Sequence, residues 1–105
     1  MSWETLVIGR VKFREGSKEE DQYTFLSELQ EELEGAKIAY EGFFHEWIFQ
    51  DVNWASHITA EKIWSIVKKW RHILQLFEFS LYYLTTPHES IVLSREAKKV
   101  IVEMN

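Results

Sequence analysis

The chain is predicted to be an α+β protein, a two-layer sandwich in which a mainly antiparallel sheet carries two helices on one face and ends in a terminal β-hairpin. Two observations carry this expectation. Apolar residues recur with period two in WETLVIGRVKF, between Lys37 and Asn53, and in LFEFSLYYLT, but at helical spacing from Ser17 to Ala36 and from Thr59 to Leu74. Of the 105 residues, 46% are hydrophobic and 15% aromatic, which is more apolar area than a disordered chain carries and suits one domain with a packed core.

The first strand, Trp3 to Phe13, places Thr5, Val7, Gly9, Val11 and Phe13 on one side and Leu6, Ile8, Arg10 and Lys12 on the other. Ser17-Lys18-Glu19-Glu20 fits a capping box, in which the serine oxygen accepts an orphan helix amide and the glutamate returns to the serine amide. Behind it Phe25, Leu26, Leu29, Leu33 and Ala36 form one apolar stripe, and Gly35 supplies a stop. Glu41-Gly42 then closes a hairpin, the alternative being a bulge within one long strand. Thr59 is the expected N-cap of a second helix with Ile63, Ile66, Val67, Trp70, Ile73 and Leu74 on one face. That helix yields near Gln75 to a strand with Phe77, Phe79, Leu81 and Tyr83 inward and Glu78, Ser80 and Tyr82 outward. TTPHES, with the single proline Pro87, reads as a turn. The tail SIVLSREAKKVIVEMN reads as two short strands about Ser94–Lys98, with a helix through REAKKVIVEM as the alternative.

The first six elements follow the order βαββαβ, which resembles the ferredoxin-like split βαβ arrangement. The likeness is one of element order, not of sequence, and implies two helices packed on one sheet face. Trp47, Phe49, Phe77 and Phe79 are then the expected core. So many unrelated functions use that layout that it decides none of them.

The stretch HEWIFQDVNWASH tests whether the chain carries chemistry. Parity puts His45 mid-strand on the inward side between Phe43 and Trp47, and His57 in the turn before the second helix. Asp51 shares the parity of His45 but lies about 20 Å along the strand, too far to share an ion. His57 with Asp51 or Asn53 is the one arrangement left, and no HExxH or CxxC spacing supports it. Asp51, Asn53 and Ser56 read instead as turn and cap formers. His72 falls at a helix end and His88 in a loop. The four glycines are scattered, and the absence of cysteine removes thiolate ligands and nucleophiles. No catalytic residue, metal or cofactor is expected. Nor does the start resemble a secretion signal or any run reach the length of a membrane span, so a soluble, cytoplasmic protein is expected.

A binding role is the better expectation. The outward side of the sheet presents Ile8, Arg10 and Lys12 beside Phe44, Glu46, Ile48 and Gln50, then Glu78, Ser80, Tyr82 and Leu84. Mixed aromatic, aliphatic and charged side chains suit a protein interface. Arg10, Lys12, Phe44, Glu46, Glu78 and Tyr82 are therefore the candidate binding residues, facing a protein partner or a second copy in a homodimer. A competing expectation is that the terminal hairpin folds back over this face. An RNA-binding sheet would use the same aromatics, but Glu46, Glu78 and a net charge of −5 oppose phosphate.

The alternative function is that of an acidic inhibitor of a nucleic-acid-binding enzyme. Eight acids stand against Lys18 alone between Glu15 and Glu34, and Glu28, Glu31 and Glu32 would present the charge. The second helix is basic at Lys62, Lys68, Lys69 and Arg71, so the two helices could equally complement each other.

Overall fold

The computed structural model describes residues 5–33, 36–42, 45–53, 60–83, 86–94 and 99–104. Among the described residues six strands and two helices follow one another as β1 (Thr5–Phe13), α1 (Glu19–Glu32), β2 (Lys37–Glu41), β3 (Glu46–Asn53), α2 (Ala60–Lys69), β4 (Leu74–Tyr83), β5 (Thr86–Ser94) and β6 (Lys99–Met104), with a 3-10 turn at Arg71–Ile73 before β4. The strands form one sheet in the order β2-β3-β1-β4-β5-β6, and every neighbouring pair is antiparallel. The α+β class with two helices and an antiparallel sheet is thus as expected. The ferredoxin-like description is not matched: the sheet is six strands wide, with β5 and β6 continuing it beyond β4. The terminal hairpin accordingly widens the sheet and does not fold back across its outer face.

Strand parity builds the core. Val7 and Val11 of β1, Phe49 of β3, Phe77, Phe79 and Leu81 of β4, and Ile91 and Leu93 of β5 are buried, and they meet Phe25, Leu26, Leu29 and Leu33 from α1 and Ala60, Ile63 and Val67 from α2. Trp47 is half-buried and packs against this cluster. Aromatic contacts run through this core: Phe77 stacks on Phe49 within the sheet with ring centroids 6.0 Å apart, and Phe25 joins the helix layer to the sheet by meeting Phe77 and Phe13 edge-on at 6.1 and 5.9 Å. Gly9 lies directly across from Phe49 in the β1–β3 ladder, and the Phe49 ring covers the space a side chain there would fill.

Several local expectations are corrected. The capping box does not form. Gly16, at φ 84°, turns the chain so that Ser17 donates both its amide and its hydroxyl to the Arg14 carbonyl, at 3.1 and 2.7 Å. Spent on that turn, Ser17 then accepts from Gln22 Nε2 at 2.8 Å, and the helix begins from Lys18, which makes no side-chain cap. His45 is not an inward mid-strand residue: it sits in the β2–β3 turn, exposed, at φ 55°, a left-handed conformation that histidine tolerates better than bulkier residues. Its Nδ1 lies 3.2 Å from the Tyr40 hydroxyl. Asp51 and Asn53 are strand residues, since β3 pairs with β1 as far as Thr5 opposite Asn53.

TTPHES is likewise not simply a turn, because β5 starts at Thr86. A register shift between Leu81 and Tyr82 brings Pro87 opposite Tyr82 and leaves His88 over. Pro87 thus sits at the irregular start of β5, where proline is tolerated, and among the described residues β6 pairs with β5 from Glu89 onward. The expected stops and caps at Gly35, Thr59 and Ser56, together with His57, lie outside the described residues.

Polar contacts tie the helices to the sheet and to each other. The Ala60 amide at the start of α2 donates to the Glu89 carboxylate from β5, placing negative charge at the positive end of the helix dipole. Between the helices, Glu28 of α1 accepts from Lys69 Nζ at 2.7 Å and from Trp70 Nε1 at 2.6 Å. The Lys69 bond, then the Trp70 bond, holds the Glu28 carboxyl below its ordinary value, against a smaller opposing effect of burial. A lowered carboxyl value contributes stability above the unfolded value, about 4.3, and loses it as pH falls through the folded one. Glu28→Gln is therefore expected to cost about 1 kcal/mol near neutral pH and to flatten the fall in stability on acidification. Urea titrations at a series of pH values measure it; parallel curves for the two proteins would remove Glu28 from the account.

Candidate functional site on the outer sheet face

The face turned away from the helices carries, on β1, Ile8, Arg10 and Lys12; on β3, Glu46, Ile48 and Gln50; and on β4, Leu76, Glu78, Ser80 and Tyr82. Register brings the charges together. Arg10 is directly opposite Glu78 on β4 and Ile48 on β3, with Glu46 on the diagonal. The guanidinium donates twice to Glu78, Nε to Oε2 at 2.8 Å and Nη2 to Oε1 at 3.0 Å, and reaches Glu46 Oε1 from Nη1 at 3.4 Å. Such a fork-to-carboxylate bond fixes orientation as well as charge. It raises the Arg10 pKa, the Glu78 hydrogen bonds being the largest cause, while burial opposes and Glu46 adds a smaller effect.

Glu46 is the surprise. It is only 9% exposed, the one charged residue among the described residues that is buried, although parity alone placed it on an open face. Its register partner on β2 is Glu41. Arg10 therefore does more than decorate the surface: it brings positive charge to a carboxylate whose access to water is restricted.

Arg10, Lys12, Glu46 and Glu78 line one groove of about 390 Å³ with Gln75, Leu76, Val92 and Ser94. Four of the six candidate binding residues thus converge. Tyr82 does not join them: it pairs with Leu6, four residues along β4 from Glu78, which is about 13 Å of strand. Phe44 lies outside the described residues. Val92 and Ser94 were missed as groove residues because their inclusion depends on β5 lying beside β4, which element order does not fix, and Gln75 and Leu76 because the strand was expected to begin only near Gln75. The groove holds two cations and two anions, so it offers no net attraction to phosphate.

Along the face from this groove the surface turns apolar. Ile8 is 43% and Ile48 40% exposed, and the two are diagonal neighbours, since Ile8 pairs with Gln50 and Arg10 with Ile48. No described helix lies over them.

The alternative acidic face is dispersed. Glu31 is exposed and Glu32 half-buried, but Glu28 is engaged by Lys69 and Trp70. Among the described residues no group of three or more His, Asp and Glu is placed to hold a metal ion, and every buried side-chain nitrogen or oxygen has a partner. Among the described residues no helix is long and apolar enough to cross a membrane. No family model, curated protein or solved structure matches the chain.

Proposed function

We propose that this chain is a non-catalytic protein-interaction module, acting in a soluble, cytoplasmic setting, that docks a protein partner on the outer face of its sheet. The observation that carries the reading is the exposure of Ile8 and Ile48, 43% and 40%, beside the Arg10–Glu78 ion pair. Exposed aliphatic area contributes affinity when it leaves water, while a fixed charge pair next to it sets register and rejects poorly matched partners. The balanced charge of the groove favours a protein over a nucleic acid.

Ile8→Asp and Ile48→Asp test the proposal. Both positions are substantially exposed, so each variant should keep its fold, with stability within about 1 kcal/mol of the parent. Each is expected to lose the proteins that the parent retains when immobilised and challenged with lysate, by tenfold or more. Equal recovery by parent and both variants would sink the reading, and loss confined to Glu31→Lys and Glu32→Lys would transfer the role to the acidic helix.

A further inference from the structure

We infer that two copies of this chain pair through their β2 strands, antiparallel and centred on Ala39, so that two six-stranded sheets continue as one. The reasoning starts at the sheet border. β2 ends the sheet, bonded on one side to β3; a border strand leaves alternate amides and carbonyls available for another strand. Short length and a lysine usually discourage such addition, and β2 has both: it is five residues long, KIAYE. Its sequence, however, is complementary to itself.

Antiparallel pairing about the middle residue sets Lys37 opposite the partner's Glu41, and Glu41 opposite the partner's Lys37. Both pairs fall on the outer face, because Lys37, Ala39 and Glu41 share register with Gln50, Ile48 and Glu46. The same operation sets Ile38 opposite the partner's Tyr40 on the helix side. Opposite charges and aromatic–aliphatic pairs directly across an antiparallel ladder are both favourable. A twofold axis through Ala39 makes the contact isologous, as closed dimers require. The lysine that would repel a foreign strand becomes a pairing element for a second copy.

The helix side supplies an independent observation. Tyr40 and Tyr23 are 53% and 52% exposed, although both pack on the half-buried Trp47, with centroids 5.3 and 6.3 Å away. Beside β2 a groove of about 180 Å³ is lined by Tyr23, Leu26, Ser27, Gln30, Ile38 and Trp47. The partner's Tyr40, lying across from Ile38, arrives at the rim of that groove. Each copy thus carries both the exposed ring and the recess next to where that ring lands.

This inference is independent of the outer-face proposal, and the test keeps them apart. Sedimentation of the full chain is expected to show a concentration-dependent dimer. Lys37→Glu alone and Glu41→Lys alone should each weaken it about tenfold or more, since each creates two like-charge pairs across the twofold axis. Mixing the two variants in equal amounts should restore dimers, because every reversed position then faces an opposite charge. Ile8→Asp should leave the dimer intact. Ala39→Cys introduces the only thiol of a chain without cysteine, and residues directly opposed in an antiparallel ladder lie about 4.5–5.5 Å apart, within reach of a disulfide. That variant should therefore crosslink as a dimer under mild oxidation. A monomeric parent, or a dimer indifferent to either charge reversal, would overturn the inference; the second result would point to the other border of the sheet.

Discussion

Phe77→Ala is expected to cost about 3–5 kcal/mol, the largest effect of any single truncation discussed for this chain. Phe77 is fully buried and sits where the two layers meet, stacked on Phe49 from β3 and edge-on to Phe25 from α1. Phe25 in turn touches Phe13 at the end of β1. Removing the ring leaves a hole bounded by aromatic groups from two separate elements, β3 and α1. None can collapse into it without dragging its own backbone, so little of the lost packing is recovered. Against a typical domain stability of about 5–15 kcal/mol, the loss should move the urea midpoint far enough to leave part of the population unfolded in buffer. Near-UV circular dichroism against urea measures it. Phe77→Leu, which keeps most of the volume, should cost markedly less; equal costs would mean that ring-on-ring packing is not what Phe77 contributes.

Gly9→Ala is expected to cost about 2–3 kcal/mol by overpacking, for the addition of one methyl group. The Gly9 backbone is ordinary strand, so left-handed geometry plays no part. The obstacle is space: a Cβ would run into the Phe49 ring and the Glu78 backbone carbonyl oxygen. The ring tip can swing aside. The carbonyl cannot, because it belongs to β4, whose ladder with β1 holds Gly9 opposite Phe79 and Arg10 opposite Glu78. Combining Gly9→Ala with Phe49→Leu should therefore recover only part of the sum of the single costs, and the double-mutant cycle reads how much of the clash is ring and how much is ladder. An alanine tolerated within about 0.5 kcal/mol would show that the strands separate more easily than their register implies.

Which parts of this architecture could be read beforehand follows from the range of each signal. Alternation is local, so the inward set Val7, Val11, Phe49, Phe77, Phe79 and Leu81 and the stripe Phe25, Leu26, Leu29 and Leu33 were legible from spacing alone. Arg10, Lys12, Glu46 and Glu78 could be assigned to one face by parity, but their convergence needed the registers that set Arg10 opposite both Glu78 and Ile48. The burial of Glu46 was not legible, since polarity argues for exposure and only the three-dimensional neighbourhood overrules it. The capping box failed because Ser17 had a competing local acceptor in Arg14, created by the turn at Gly16. His45 was misplaced because one residue of turn is enough to end a parity count. The role of Glu89 at the start of α2 joins residues far apart in sequence, and no window along the chain contains both. The same holds for Glu28, which spacing assigns to a solvated acidic face but which Lys69 and Trp70 engage.

The position of β1 has a consequence for how the molecule is made. It emerges first among the described strands yet lies in the interior of the sheet, between β3 and β4. Val11 must wait on the ribosome for Trp47 on one side and Phe77 on the other, and the amide of Ala60 waits longer still for Glu89. Peptide synthesis at about 5–20 residues per second leaves that nascent apolar strand without its neighbours for several seconds. Long-range pairing of this kind also places the chain among slowly folding topologies. The segment from Leu6 to Val11 is then where a chaperone would find its handle, and where a stalled or truncated chain would be most prone to aggregate.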